Sequence, residues 1–246
     1  IEIANGFTFN GTHCSVHGIV MRSKNRQLLP ETNDSYVQVP GRNGSILYPQ
    51  GLHDRYIELD CAYVGKDLPA MRVKAREIAA WLYTEDREIL SFDDEPNVYY
   101  RGKLAGKVDL DHIGKMAQFS LIFRCEPFVY GGEEYQTFVS DAATIDNQGT
   151  TEILPRFTVT FTDTAEEWKV TNQDSDYVRV VNNFTIGDTM EVNCKTGAIL
   201  INGTRAMDKL DWQNSRFFAL REGENSLAIA PTGKCNTTVY WTPSYL

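Results

Sequence analysis

The sequence lacks the usual marks of catalysis. It has no C-x-x-C pair, no G-x-S-x-G, no Walker or dinucleotide glycine pattern, and no histidine beyond residue 112. His13, His17, His53 and His112 all fall in the first half, which excludes histidine-dependent chemistry from the second. No apolar run approaches the roughly 18 residues that a membrane helix needs. A surplus of positive charge is missing too. Lys and Arg number 24 against 33 Asp and Glu, a net charge of −9, which disfavours sequence-independent binding of nucleic acid. The five cysteines, Cys14, Cys61, Cys125, Cys194 and Cys235, are odd in number and at least 41 positions apart, so no disulfide framework is implied. Cys61, Cys125 and Cys194 sit at alternating strand positions, where a free thiol acts as a small hydrophobe. Reduced, intracellular synthesis is the simplest expectation.

What is present is enough to build cores. In 246 residues, 42% are apolar and 11% aromatic, room for one large or two modest domains. Most of the chain alternates with period two. Ile57, Leu59, Cys61 and Tyr63 alternate with Glu58, Asp60 and Ala62, and Phe119, Leu121, Phe123 and Cys125 repeat the pattern. So do Phe157, Val159 and Phe161, then Met190, Val192 and Cys194. Turn dipeptides such as Asn10-Gly11, Asn43-Gly44 and Asn202-Gly203 separate the runs. One segment breaks the period. Met71, Ala75, Ile78, Ala79 and Leu82 line up only at 3.6 residues per turn, with Asp67 as N-cap and Pro69 in the first turn. The fold class is therefore mainly β, with one amphipathic helix at about 67–83 packed on a sheet.

A boundary falls near Gly131-Gly132. Residues 1–132 carry 15 basic and 17 acidic side chains, net −2, whereas residues 133–246 carry 9 and 16, net −7. Two domains, 1–132 and 133–246, fit the usual size range.

Each chemical candidate has a plainer reading. His13-Cys14-x-x-His17 resembles a metal motif, but on a strand His13 and His17 stand about 13 Å apart, from a rise of about 3.3 Å per residue. A plain strand is expected there. Asp93-Asp94-Glu95, beside an expected turn at Pro96-Asn97, could serve glycoside hydrolysis, although nothing separates the two pKa values and a solvated hairpin tip suffices. Glu133-Glu134 and Glu166-Glu167 are blander still. Gly41-Arg42-Asn43-Gly44 reads as a structured turn. The face Arg72, Lys74 and Arg76 reads as solvated helix surface. Asn10, Asn43, Asn183, Asn202 and Asn236 head Asn-x-Ser/Thr triplets that would matter only in a eukaryotic secreted protein. No catalytic, cofactor or metal residue is assigned.

The order of motifs carries more. Phe7-x-Phe9-Asn10-Gly11 and a strand ending near Ile19-Val20 come first. Val39-Pro40-Gly41-Arg42-Asn43-Gly44, a strand at 56–64 and a helix ending Ala80-Trp81-Leu82 follow. Leu90-Ser91-Phe92-Asp93-Asp94-Glu95-Pro96-Asn97-Val98-Tyr99-Tyr100 leads to a strand closing in Phe123-Arg124-Cys125-Glu126-Pro127-Phe128-Val129-Tyr130. This succession resembles the distal tail protein family of long-tailed, non-contractile phages infecting Gram-positive bacteria. Ile145-Asp146-Asn147-Gln148-Gly149-Thr150 before Pro155, and Leu220-Arg221-Glu222-Gly223-Glu224-Asn225-Ser226-Leu227, agree more loosely with that family's C-terminal sandwich.

The resemblance implies a non-enzymatic part of the virion tail tip, made in the host cytoplasm, with no cofactor and no membrane insertion. It implies an N-terminal β-sandwich or barrel-like domain that builds a homohexameric ring, and a galectin-like C-terminal β-sandwich. Partners implied are the tail tube protein, the tip hub or tail-associated protein, the tape measure and receptor-binding proteins, with DNA passing through unbound. The ring interface is unknown from sequence; Tyr48, Tyr99 and Tyr100 are candidates by residue type. The alternative is a carbohydrate-binding accessory module for host cell-wall polysaccharide, with Trp168, Trp212 and Trp241 as stacking platforms, although buried tryptophan is the commoner fate. A cell-wall hydrolase using Asp93 and Asp94 is the third reading.

Overall fold

The computed structural model describes residues 6–109, 111–113 and 116–246, without the side chains of His112 and Ile113, so the candidate His112 lies outside the described side chains. The chain divides into two compact units, one ending at Tyr130 and one running from Gly131 to Tyr245.

In the first unit, β1 (Phe7–Phe9) and β2 (Thr12–His13) are joined by Asn10-Gly11. Both turn residues have left-handed φ, 47° and 71°, as a two-residue primed hairpin turn requires. There follow β3 (Ile19–Arg26), β4 (Thr32–Gln38), β5 (Ser45–Leu52), β6 (Arg55–Val64), helix α1 (Leu68–Leu82) and β7 (Glu88–Phe92). Then come β8 (Glu95–Ala105), β9 (Asp111–Ile113), β10 (Met116–Cys125) and β11 (Val129–Tyr130). Seven strands run in the order β2-β1-β7-β8-β10-β6-β3 within a larger antiparallel sheet, to which β9 adds by pairing with β10 and β11 by pairing with β8. The ten-residue ladder between β10 and β6 runs from Met116↔Val64 to Cys125↔Arg55. Ile57, Leu59, Leu121 and Phe123 on these two strands are fully buried.

Helix α1 begins where Asp67 Oδ1 accepts the Ala70 N–H at 2.9 Å. It buries Met71, Ile78 and Leu82, while Ala79 of the expected stripe is exposed. Near its C-terminus the Trp81 indole N–H donates to the Phe9 carbonyl at 3.0 Å, and the ring stacks on Phe7 with centroids 5.8 Å apart. The Phe-x-Phe strand and the Ala-Trp-Leu helix end, far apart in sequence, are thus one packing unit.

Two local expectations are corrected. Cys14–His17 is a 3-10 turn rather than strand. Gly18 closes it at φ 64°, and the His13 ring accepts the Ser15 N–H at its start. Pro96-Asn97 is not a turn but lies within β8; because Phe92 pairs directly with Glu95, the chain reverses at Asp93-Asp94.

The second unit contains β12 (Glu134–Thr137), β13 (Ala142–Asn147), β14 (Arg156–Phe161), β15 (Ala165–Asn172) and β16 (Tyr177–Phe184). It continues with β17 (Thr189–Asn193), β18 (Ala198–Ile201), β19 (Thr204–Arg205), β20 (Gly223–Ala230) and β21 (Cys235–Trp241). One sheet has the order β12-β21-β14-β17-β18-β19 and the other β13-β20-β15-β16. Alternating side chains from both, among them Phe157, Val192 and Val239 from the first and Ile145, Trp168 and Val180 from the second, fill one core, so the unit is a sandwich.

Buried asparagines fix its loops and account for two sequence motifs. Asn147, 1% exposed, accepts the Gly149 N–H and donates to the Thr151 carbonyl. Asn225, also 1% exposed, donates to the carbonyls of Arg221 and Gly223 and accepts the Arg221 N–H. Each side chain replaces water for backbone groups that would otherwise be buried without partners.

Candidate assembly surface

The hairpin β4–β5 stands apart from the rest of the first unit. Its two strands form a separate two-stranded sheet, with Arg42 N–H bonded to the Val39 carbonyl in the connecting turn. No residue of either strand is buried. Cross-strand pairing sets Tyr36 opposite Leu47 on one face and Val37 opposite Ile46 on the other, with Tyr48 beside Ile46's side. Tyr36 is 65% exposed and Leu47, Val37 and Tyr48 are close to half exposed. This arm is therefore apolar on both faces and covered on neither. A lone two-stranded hairpin is marginal in water, and seven of the exposed large apolar side chains in the first unit fall between Leu28 and Tyr48.

The arm's root is held firmly. Arg55, 3% exposed, donates to the Gln27 carbonyl at 2.7 Å and the Pro127 carbonyl at 3.1 Å. Gln27 Oε1 in turn accepts the Tyr56 N–H, and the His53 N–H reaches the Glu31 carbonyl. Beside the root, the Asp93-Asp94 turn is an ion-pair site rather than a free tip. Asp94 pairs with Arg26 at 3.0 Å and with Lys24, Glu95 pairs with Arg26 at 2.9 Å, and both cations lie over the Phe92 ring. Burial alone would raise the Asp94 carboxyl, but the Lys24 hydrogen bond and the Arg26 charge outweigh it and hold it below the usual range. Asp93 turns instead to His13, 3.2 Å away. The two carboxylates face different partners, and the depressed one is unsuited to donating a proton.

A second apolar surface runs beside α1. A groove of about 390 Å³ is lined by Ile78, Leu82, Tyr83, Leu104, Val108 and Phe119. The other candidates have structural positions. His17 stacks on Trp81 at 4.5 Å, and burial followed by the nearby Lys74 charge lowers its pKa. Lys74 pairs with Glu77 within the helix, and Arg72 and Arg76 are exposed. Gly41 and Gly44 take φ of 81° in the β4–β5 turn. Glu133 pairs with Arg156 and Glu167 with Arg179. All five cysteines are free and buried; burial pushes the thiols of Cys61, Cys125 and Cys194 up to about 12. Among the described residues, no group of three or more His, Cys, Asp or Glu is arranged to hold a metal, and no helix is long and apolar enough to cross a membrane.

Of the three tyrosines named by type, Tyr48 lies on the arm, Tyr99 is half-buried and stacked on Tyr130, and Tyr100 is 4% exposed in the core. Sequence reasoning missed Tyr36, Val37, Ile46 and Leu47. Their signal was present as adjacent apolar pairs, Tyr36-Val37 and Ile46-Leu47, which put apolar groups on both faces of a strand.

Comparison with known proteins agrees with this architecture. Residues 12–125 match the model of a phage tail protein RIFT-related domain, and residues 148–245 match that of the siphovirus-type tail component, C-terminal domain. The distal tail protein of Bacillus phage SPP1 is 25% identical over 184 residues, spanning 71% of this chain and 73% of that protein. A crystal structure of the SPP1 Dit protein, described as a paradigm of the hub adsorption apparatus in Gram-positive-infecting phages, superposes with a TM-score of 0.86. That match covers 98% of this chain and 99% of the other, at 18% identity. A chain of the phage P2 baseplate in its activated conformation with Ca matches with a TM-score of 0.50 over 91% of this chain and 90% of its own length, at 9% identity. At such identities the two solved structures speak for the fold alone.

Proposed function

The chain belongs to the distal tail protein family and is a structural component of a phage tail tip or baseplate, and from that premise we propose that it assembles as a homohexameric ring through the β4–β5 arm. The ring joins the tail tube to the tip hub. Residues 1–132 build it, while the sandwich of residues 133–246, read as galectin-like, presents a surface to receptor-binding proteins. The role is non-enzymatic, and DNA passes through a channel whose acidic subunits do not grip its phosphates.

The observation that carries this reading is the two-faced apolar arm on a clamped root. A cyclic ring joins two different patches of each subunit, and an arm reaching from one subunit to the next is such a heterologous contact. Tyr36, Val37, Leu47 and Tyr48 are already about half covered, so burying the remainder contributes on the order of 3–6 kcal/mol, half of the roughly 1.5–3 kcal/mol per side chain of a full transfer. Association costs about 4–15 kcal/mol, so the arm is necessary but not sufficient, and the groove beside α1 is the natural second contact.

Light scattering coupled to size exclusion, with negative-stain images of the largest species, tests the proposal. Hollow six-fold particles support it. A strict monomer at every concentration, even with tube or hub protein added, refutes it.

A further inference from the structure

Three tryptophans in the second unit have different surroundings. Trp168 and Trp241 are core residues, at 0% and 7% exposure, whereas Trp212 is 64% exposed. It is not loose, however. Its indole N–H donates to the Met207 carbonyl at 3.0 Å, which fixes one edge of the ring and leaves most of its area to solvent.

The turn that carries it is rigid and polar. The Asp211 N–H bonds to the Arg179 carbonyl, the Arg216 N–H to the Tyr177 carbonyl, and the Ser215 N–H back to the Asp211 carbonyl. These bonds tie the turn to β16. The Asp211 carboxylate accepts from Asn214 Nδ2 at 3.0 and 3.1 Å and from Arg179 Nη1 at 3.3 Å. Arg179 Nε also donates to Glu167 Oε2 at 2.7 Å. The exposed indole thus follows directly in the chain on Asp211, whose carboxylate ties Asn214 and, through Arg179, Glu167 into one network.

We infer that this turn is a saccharide-binding subsite, with Trp212 as the platform for the C–H face of a sugar ring, the more exposed Arg179, Glu167 and Asn214 as partners for its hydroxyls, and the largely covered Asp211 as the anchor that positions Asn214 and Arg179. A sugar ring has both faces of that chemistry, an apolar C–H face and a rim of hydroxyls, and an aromatic plane beside charged hydrogen-bonding groups matches it. Preorganisation of the turn lowers the ordering cost of binding. Charge narrows the class. Residues 133–246 carry a net −7, which repels polyanions such as phosphodiester-linked wall polymers and leaves uncharged oligosaccharides as the ligand. The inference stands apart from the ring, since it concerns only the second unit.

The test is an array of uncharged, sialylated and phosphorylated oligosaccharides probed with the full-length protein and with Trp212→Ala, Trp212→Phe and Asn214→Ala. Wild-type binding to uncharged glycans is expected, weakened about tenfold or more in Trp212→Ala, less in Asn214→Ala, and largely kept in Trp212→Phe. Near-UV circular dichroism of each variant separates loss of a contact from loss of fold. Absence of binding by the wild type, binding confined to phosphorylated glycans, or binding that Trp212→Ala leaves unchanged would overturn the inference. So would a Trp212→Ala defect confined to capture of a receptor-binding protein.

Discussion

The two units deal with apolar surface in opposite ways. In the second, Phe157, Trp168, Val170, Val180, Val192 and Ile199 are all fully buried between two sheets. Among the described residues, six large apolar side chains of that unit through Tyr245 are exposed, against sixteen in the first unit. The difference is one of position, since the first unit also has a dry core around Phe7, Phe9, Leu59 and Phe123. Its excess is concentrated on the arm and its approach. A sandwich that closes on itself is finished as a monomer. A unit that holds a two-faced apolar arm away from its own core leaves surface of the kind that marks interaction sites, the premise of the proposed ring.

Polar substitution should break this comparison most sharply on the arm. Tyr36→Ser with Leu47→Ser is expected to convert the assembly to monomers, read by light scattering, while the monomer's free energy of unfolding in urea stays within about 0.5 kcal/mol of wild type. Trp168→Ala, in the sandwich core, is expected to do the reverse and cost about 3–5 kcal/mol in urea unfolding. An arm variant that unfolds the protein, or a core variant that does not, would erase the contrast.

A smaller effect is expected at Gly149. A Cβ there would stand 2.6 Å from the Ser244 carbonyl oxygen and 2.8 Å from its nitrogen, both backbone atoms that cannot swing away. Gly149→Ala should therefore cost about 1–3 kcal/mol, a loss visible in thermal unfolding. Smallest is an acid effect at Asp60. The hydroxyls of Ser23 and Ser120 donate to it at 2.6 and 2.7 Å and hold its carboxyl below the ordinary range. A folded pKa below the unfolded value of about 3.9 gives stability that is present above that value. It is lost as pH falls through the depressed folded pKa. Asp60→Asn should flatten the acid limb of a stability–pH curve while leaving its plateau shape near neutrality unchanged.

Much of this architecture is legible from residues alone. Period-two runs locate β6, β10, β14 and β17 because one face of each is buried and the other wet, and Asp67, Pro69 and the 3.6-residue stripe mark α1. What escapes is whatever depends on a partner distant in sequence. Cys14–His17 looks extended until Gly18 and the His13 cap close it into a 3-10 turn. Asp93 and Asp94 look like solvent-facing acids until Lys24, Arg26 and His13 are brought beside them. The arm escapes for another reason. Tyr36-Val37 and Ile46-Leu47 spoil the alternation that signals a half-buried strand, and it is in the proposed ring that their pattern acquires a meaning. Trp212 reads like Trp168 in sequence, and only the fold distinguishes an exposed indole from a core one.

Hydrogen–deuterium exchange of the arm amides, in dilute monomer and in assembled particles, shows whether the arm is the surface that assembly covers. Peptides covering residues 32–52 are expected to exchange freely in the monomer and to become protected on assembly, more than peptides from the sandwich core, which are protected in both states. Particles that form while residues 32–52 exchange as fast as in the monomer would rule out assembly through the arm.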